Sequence, residues 1–327
     1  MATKESGNKT SNWEKAKNVI TAVNVTNAFK KSLEEAKIEE RLATKLHRVL
    51  QSIVLYREEK ALVEASLSEC HIMLSGPPHA GKSTLINALC GSEVAPTSDG
   101  LASCTQRVKC YKKTTERYNR KYIVKFWDTV GIESWTKPDI ESYVCDIIKI
   151  RHPICLIFCA SPGCYVDLER LFWLVTTCID SNIFCALVCT NMHFGNRTDS
   201  VLQDLNDIFL RLSQEKYPLI SEKVDSSNSS TPSITFYSNK KTRQRVALVS
   251  QINTIEYVDL SKNIRLPPVG VFELITGIMD SLSEEKIEQM VEIILNNRSF
   301  WTRINQTLSG FWNERFLQSF RSWFAIQ

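Results

Sequence analysis

The sequence predicts an α/β fold. It has three layers, with helices on both faces of a mostly parallel sheet, and further helices flank it on the N- and C-terminal sides. Three observations carry this. From His71 to about Leu282, short apolar runs of strand length alternate with helical stretches, the rhythm of parallel strands joined by crossover helices. At the start of that region a glycine-bearing loop joins the first apolar run to an apolar helix. On either side, apolar residues recur instead at spacings of three and four.

Four segments follow from this pattern. Residues 1–11 are polar and expected to be disordered. Residues 12–69 form an N-terminal helical region, with Ile38, Leu42, Leu46, Val49 and Ile53 on one stripe and no proline before Pro77. Residues 70–282 form the α/β domain. Its strand candidates are 71–75, 108–111, 121–127, 153–160, 183–190, 233–237 and 246–257, and 223–232 is a polar loop. Residues 283–327 form an aromatic-rich helical region. There Trp301, Ile304, Leu308, Trp312, Phe316, Phe320 and Trp323 make one stripe, widened by Phe300, Phe311, Leu317 and Phe324. Such a stripe needs a cover. One reading docks it on the N-terminal helices around Ile38 to Val54. The other offers it to a membrane surface or partner protein, with Arg303, Arg315 and Arg321 toward anionic headgroups.

Composition narrows the classes. Of the 327 residues, 43% are hydrophobic and 23% charged, as in an ordinary globular chain. A net charge of +4, from 40 basic and 36 acidic residues, is too mild to argue for nucleic acid, and no nucleic-acid partner is expected. No apolar run reaches the roughly 18 residues of a membrane span. The stretch Met1 to Gly7 is polar and has no signal-peptide core. The 11 cysteines contain no C-x-x-C pair, and Cys155, Cys159, Cys185 and Cys189 lie in apolar runs, where Cys acts as a small hydrophobe. The expectation is a reduced, cytoplasmic protein, with peripheral attachment to a membrane as the alternative for its C-terminal helix.

The glycine loop carries the chemistry. Gly76-Pro77-Pro78-His79-Ala80-Gly81-Lys82-Ser83-Thr84 fits G-x-x-x-x-G-K-[ST], between the apolar run His71–Ser75 and the helix Thr84–Cys90. Glycines at 76 and 81 allow backbone angles that side chains forbid. Backbone N–H groups then turn inward and the helix N-terminus adds partial positive charge, a cradle for phosphate. All nine residues are expected at the nucleotide. Lys82 reaches the β- and γ-phosphates, and the Ser83 hydroxyl ligates Mg²⁺. Downstream, Phe126-Trp127-Asp128-Thr129-Val130-Gly131 ends an apolar strand in D-x-x-G. Asp128 is expected to hold Mg²⁺, directly or through water, and the Gly131 N–H to meet the γ-phosphate. Between the two motifs, the small-residue loop Gly100 to Gln106 offers Thr105 as a further Mg²⁺ ligand, with Thr97 as second choice.

The base-reading position departs from the usual pattern. After the strand Phe184–Cys189 comes Thr190-Asn191-Met192-His193, where GTPases usually carry [NT]-K-x-D. Asn191 stands for the Lys and His193 for the Asp. A neutral imidazole has one acceptor nitrogen and cannot copy a bidentate carboxylate. Guanine selection is therefore weakened or achieved otherwise. Asn239-Lys240 is a second Asn-Lys pair without the Asp, and Asn253 and Thr254 are polar candidates in the last base-side loop.

Gly81-Lys82-Ser83-Thr84-Leu85-Ile86-Asn87-Ala88-Leu89-Cys90-Gly91 resembles the G-K-S-T-L-x-N-A-L-x-G stretch of Era-like, dynamin-like and immunity-related GTPases. Gly100–Gln106 looks like their first switch, with Thr105 at the Mg²⁺ position, and Asp128–Gly131 looks like their D-T-x-G. Degenerate base motifs also occur in the septin, chloroplast-import and immunity-associated branch. The resemblance implies a P-loop NTPase fold of the G-domain type over 70–282, with GTP and Mg²⁺ as cofactors. Ile132 follows Gly131, where Ras-like enzymes use a Gln to orient water. Catalytic candidates are thus Lys82, Thr105 and His79, the last touching the γ-phosphate in cis or across a dimer, with Glu133 and Ser134 nearby. Pro78 stands where Ras-like loops have a glycine. The expected function is a slow Mg²⁺-dependent GTPase, activated by self-association through the nucleotide face or by a partner. An ATP-binding P-loop protein and a nucleotide-binding scaffold without turnover are the alternatives.

Overall fold

The computed structural model describes residues 27, 30, 40–59, 66–97, 108–117, 120–129, 142, 144–194, 197–225 and 232–296. In chain order the elements are α1 (Glu40–Glu59), β1 (Ser66–Ser75), α2 (Lys82–Cys90), β2 (Lys109–Arg117), β3 (Arg120–Asp128) and a π-helical turn (Ile147–Arg151). They continue with β4 (Cys155–Ala160), α3 (Leu168–Asp180), β5 (Phe184–Cys189), α4 (Thr198–Glu215), β6 (Leu219–Val224), β7 (Ile234–Asn239) and β8 (Arg245–Gln251). The last are β9 (Tyr257–Asp259), β10 (Ile264–Leu266), α5 (Val271–Ser281) and α6 (Glu284–Asn296). The chain divides into two compact units: Met1–Ser68 with Thr115–Tyr122 and Ser283–Gln327, and Glu69–Thr114 with Ile123–Leu282.

The larger unit is built on an eight-stranded sheet in the order β2-β3-β1-β4-β5-β8-β7-β6. Its centre is parallel: β1 pairs with β4, β4 with β5, and β5 with β8. Every residue of β4 and β5 is buried, because a parallel sheet is covered on both faces. On one face Leu156, Phe158, Cys185, Leu187 and Val249 pack with Leu171, Leu174 and Val175 of α3 and Leu205, Phe209 and Leu212 of α4. Burying a Leu or Phe side chain of this kind contributes about 1.5–3 kcal/mol. Against the other face lies α5. A Cβ at its Gly277 would stand 3.1 Å from Leu248 and 3.2 Å from Ile234, so glycine lets the helix seat closely on β7 and β8.

The β6 side of the sheet departs from the parallel scheme. β8 pairs antiparallel with β7, and β7 antiparallel with β6. β6 escapes the sequence pattern because its burial does not alternate: its last four residues are exposed. Arg245 on β8 anchors this side. It is buried, forms an ion pair with buried Asp280 of α5, bonds Glu222 of β6 at 3.3 Å, and lies 3.8 Å over the Phe236 ring. Removing one partner of such a buried pair costs about 3–5 kcal/mol. Two further boundaries shift. β1 starts at Ser66, inside the stretch expected to be helical, with Cys70, Ile72 and Leu74 alternating on a buried side. β8 stops at Gln251 instead of running to 257, since the Asn253 N–H and carbonyl turn to Val269, both at 2.8 Å.

In the smaller unit α1 packs against α6. Leu42, Ala43, Leu46 and Val49 are buried on α1, and Ile287, Met290 and Ile293 on α6. Arg48 and Glu284 pair at 2.8 Å, an exposed contact worth at most about 1 kcal/mol. The N-terminal helix is thus covered by a segment upstream of the aromatic stripe. The stripe itself, at 300–324, lies outside the described residues. No helix among the described residues is long and apolar enough to cross a membrane.

A polar chain links β1 to β3. The Arg151 guanidinium lies 5.9 Å from the Trp127 ring centre. Trp127 Nε1 donates to His71 Nδ1 at 2.9 Å, and His71 Nε2 donates to Glu69 Oε1 at 2.7 Å. Glu69 also accepts from Lys125. Burial holds the His71 pKa below its ordinary value, against the pull of Glu69. The unfolded chain therefore binds this proton more readily. The contribution of neutral His71 is complete above about pH 6.5 and is lost as pH falls below it. We expect urea-unfolding free energy to drop between pH 7.5 and 5.5, with a parallel change in Trp127 fluorescence. His71→Gln should flatten both, and an unchanged slope in that variant would exclude His71 as the group responsible.

Candidate functional site

The loop 76–81 joins the end of β1 to the start of α2. Gly76 has φ +138°, and a Cβ there would lie 2.0 Å from the Cys159 carbonyl oxygen of β4. Only glycine fits so close to a neighbouring strand. Gly81 caps α2 at φ 75°. His79 is left-handed at φ 60° and exposed, a conformation that His tolerates better than most side chains. Buried Lys82 sends Nζ back across the loop to the carbonyls of Gly76 at 3.0 Å and Pro77 at 2.9 Å. An ammonium has three donors, so these two bonds hold the charge over the loop and leave a third donor for an anion.

Beside it the Ser83 hydroxyl donates to Asp128 Oδ2 at 3.4 Å. Asp128 is fully buried at the end of β3. A buried carboxylate is stabilised by pairing or by a metal. A hydroxyl and a carboxylate oxygen side by side form the donor set that a hard divalent cation takes. The residues present therefore fit Mg²⁺. Cys159 lies near both charges: burial, helped by Asp128, outweighs the pull of Lys82 and raises its thiol to about 12. It stays a protonated, inert wall under the loop.

Two residues brace this arrangement. Thr190, 2% exposed at the end of β5, lies with its hydroxyl 2.8 Å from the Ala80 carbonyl and 3.0 Å from that of Ala160. Its single hydrogen ties either the phosphate loop or β4 to β5. Asn87 in α2 accepts from the Val94 and Ala95 N–H groups and donates to the Ala95 carbonyl, each at 2.8 Å. It pins the chain leaving α2. Sequence reasoning quoted Asn87 within a motif but gave it no role.

The base-side residues divide differently from expectation. Asn191, left-handed at φ 51°, donates its amide to Ser161 Oγ at 3.0 Å. Asn253 is 3% exposed and donates to the Ile255 carbonyl at 2.6 Å. The side chains of Thr190, Asn191 and Asn253 are thus engaged within the protein, because each closes a turn at a strand end. His193 is half-buried, its ring tilted 49° against Tyr257 at 5.7 Å. Asn239-Lys240 lies in the β7–β8 turn, where Asn239 Oδ1 accepts from the Lys241 and Thr242 N–H groups. β7 runs antiparallel to β8, so that turn is at the opposite end of β8 from the phosphate loop and the pair is no substitute base reader. Thr97 is exposed. Thr105, Gly131, Ile132, Glu133 and Ser134 lie outside the described residues.

A phosphate loop after β1, an Asp at the end of β3, and loops after β5 and β8 at the same end of a parallel sheet are the arrangement of a P-loop nucleotide-binding domain. Comparison with known proteins agrees. Residues 71–167 match the family described as 50S ribosome-binding GTPase. Over 175 residues the chain is 27% identical to the tRNA modification GTPase MnmE of Rhizobium etli, covering 52% of this chain and 39% of that protein. It spans less than half of that relative. Among solved structures, Era in complex with MgGDPNP and a piece of 16S ribosomal RNA is similar at TM-score 0.39 and 16% identity, over 66% of this chain and 58% of that one. Toc33 from Arabidopsis thaliana with Mg²⁺ and GMPPNP gives a TM-score of 0.35 at 14% identity, over 54% and 72%. The matched segment is thus similar in sequence to GTPase domains.

Thr190→Val keeps the shape but removes the hydroxyl. We expect a loss of about 1–3 kcal/mol in chemical denaturation, since buried carbonyls lose their donor. We also expect weaker nucleotide binding by calorimetry, because the loop is less fixed. Unchanged affinity would show that the loop does not need this tie.

Proposed function

We propose that the protein binds GTP with Mg²⁺, hydrolyses it slowly, and turns over faster when two copies meet through the nucleotide face. The observation that carries the reading is the Lys82, Ser83 and Asp128 constellation beneath a glycine-anchored loop. Lys82 would offer its third donor to the phosphates, Ser83 and Asp128 would hold the cation with Thr105, and the Gly131 N–H would meet the γ-phosphate. Mg²⁺, when bound, supplies neutralisation of phosphate charge. With Ile132 in place of a water-orienting Gln, His79 is the group of this loop available to the γ-phosphate. Support for self-association comes from exposed apolar residues on loops at the phosphate end of the sheet. Tyr165 follows β4 and Phe194 follows β5, exposed by 73% and 66%. We take 70–282 as the nucleotide domain, with helical flanks at 12–69 and 283–327. We place the protein in the cytoplasm, its C-terminal stripe meeting a membrane surface or partner.

Lys82→Ala is expected to abolish GTP binding in calorimetry, and Ser83→Asn to weaken it only when Mg²⁺ is present. Turnover per molecule should rise with protein concentration in the wild type. Full affinity in Lys82→Ala would refute the site, and a rate independent of concentration would refute the dimer.

Base choice should be loose, because His193 replaces a bidentate acceptor. Losing one charged hydrogen bond corresponds to about ten- to a hundredfold in affinity. The double variant His193→Asp with Asn191→Lys should raise the GTP-to-ATP affinity ratio by that factor. A wild-type preference for GTP beyond about a thousandfold would show that another group reads guanine.

A further inference from the structure

We infer that the nucleobase is held by stacking on an aromatic platform formed by His193 and Tyr257, in place of edge recognition by a carboxylate. The inference rests on the proposed phosphate site at Lys82 and Ser83 and names how the base is bound there.

The topology puts both rings in the right place. β5 and β8 are parallel neighbours, and β1 and β4 run the same way. The loops after β5 and β8 therefore emerge at the end of the sheet that carries the phosphate loop. His193 lies in the first of these loops and Tyr257 closes the second. Their ring centres are 5.7 Å apart with planes at 49°, a tilted arrangement that aromatic pairs favour.

The platform is held by bonds within the protein itself. The Met192 N–H donates to the Ile252 carbonyl at 3.2 Å, which stitches the two loops together. Thr198 Oγ1 donates to the Met192 carbonyl at 2.8 Å. Asn253 holds the second loop through Ile255 and through its bridge to Val269. Tyr257 starts β9, which pairs antiparallel with β10. A preformed face loses little freedom on binding.

The chemistry left on these loops is apolar and aromatic. The polar side chains of Thr190, Asn191 and Asn253 are taken up inside the protein. Glu256, the carboxylate in these loops, is directed to Arg265 at 3.6 Å. In the same two loops, Phe194 and Ile255 are exposed by 66% and 57%. Burial lowers the His193 pKa, so at neutral pH its ring is uncharged and suited to stacking. Every base has a π-face, so stacking is tolerant of base identity and grows with base area. The site should therefore prefer purines to pyrimidines and separate guanine from adenine only weakly.

The test compares GTP, ATP, UTP and inorganic tripolyphosphate by calorimetry with Mg²⁺ on the full chain. In the wild type we expect GTP and ATP within about tenfold of each other and UTP weaker than both by about tenfold or more. Tyr257→Ala and His193→Ala should each weaken GTP and ATP alike, by about tenfold, and leave tripolyphosphate unchanged. Tyr257→Phe should restore wild-type affinity, because the ring and not the hydroxyl does the holding. A large loss of GTP alone in Glu256→Gln, with ATP unaffected, would overturn the platform in favour of edge reading. Binding retained in Lys82→Ala would overturn the phosphate site and the platform with it. Binding lost in Lys82→Ala, together with an unchanged GTP-to-UTP ratio in Tyr257→Ala, would overturn the platform alone.

Discussion

The site depends on how closely β1 approaches β4 at its C-terminal end. Gly76 has its backbone against the Cys159 carbonyl, at a distance where no Cβ fits. That approach starts the phosphate loop directly over the sheet, above a buried thiol and beside a buried carboxylate. Lys82 can then fold back onto the loop it follows, and Ser83 reaches Asp128 across one strand. With a side chain at 76 the loop would have to lift, and the oxygen pair and the ammonium would no longer converge. One missing methyl group thus positions three charged or polar groups from two parts of the chain.

A second layer of contacts keeps that geometry in register. Thr190 ties the loop to β5, and Asn87 ties the exit of α2 to the segment at 94–95. Neither residue needs to meet a ligand to matter. Both satisfy buried backbone groups that would otherwise cost about 1–3 kcal/mol each. The buried cysteines of β4 and β5 serve the same rigidity as small apolar fillers. Burial raises Cys159 and Cys189 to about 12, which keeps thiolate chemistry away from the nucleotide face.

Much of this was legible in the sequence, for physical reasons. The phosphate loop announces itself because its backbone angles demand glycine at 76 and 81. β4 and β5 are legible because a strand buried on both faces must be apolar throughout. β6 was not, since it is mostly exposed and leaves no apolar signature. The end of β8 was read six residues too late, because the interruption at Asn253 is a matter of where its backbone bonds go. The base side was least legible. Asn and Thr beside a nucleotide site invite a ligand role, yet here those side chains close turns. The residue that stands out in three dimensions, Tyr257, became visible only through its neighbour from the loop after β5.

The smaller unit takes its residues from both sides of the larger one. α1 precedes the sheet and α6 follows it, yet their apolar stripes are packed together. In synthesis this imposes an order. The stretch from Ile123 to Leu282 leaves the ribosome as one continuous run and holds the centre of the sheet, whereas α1 must wait, its Leu42, Leu46 and Val49 uncovered, until α6 has been made. Domains fold as units as they emerge. The sheet-bearing unit is therefore the part that can finish first, and the helical unit closes only once the segment that follows the sheet has been made.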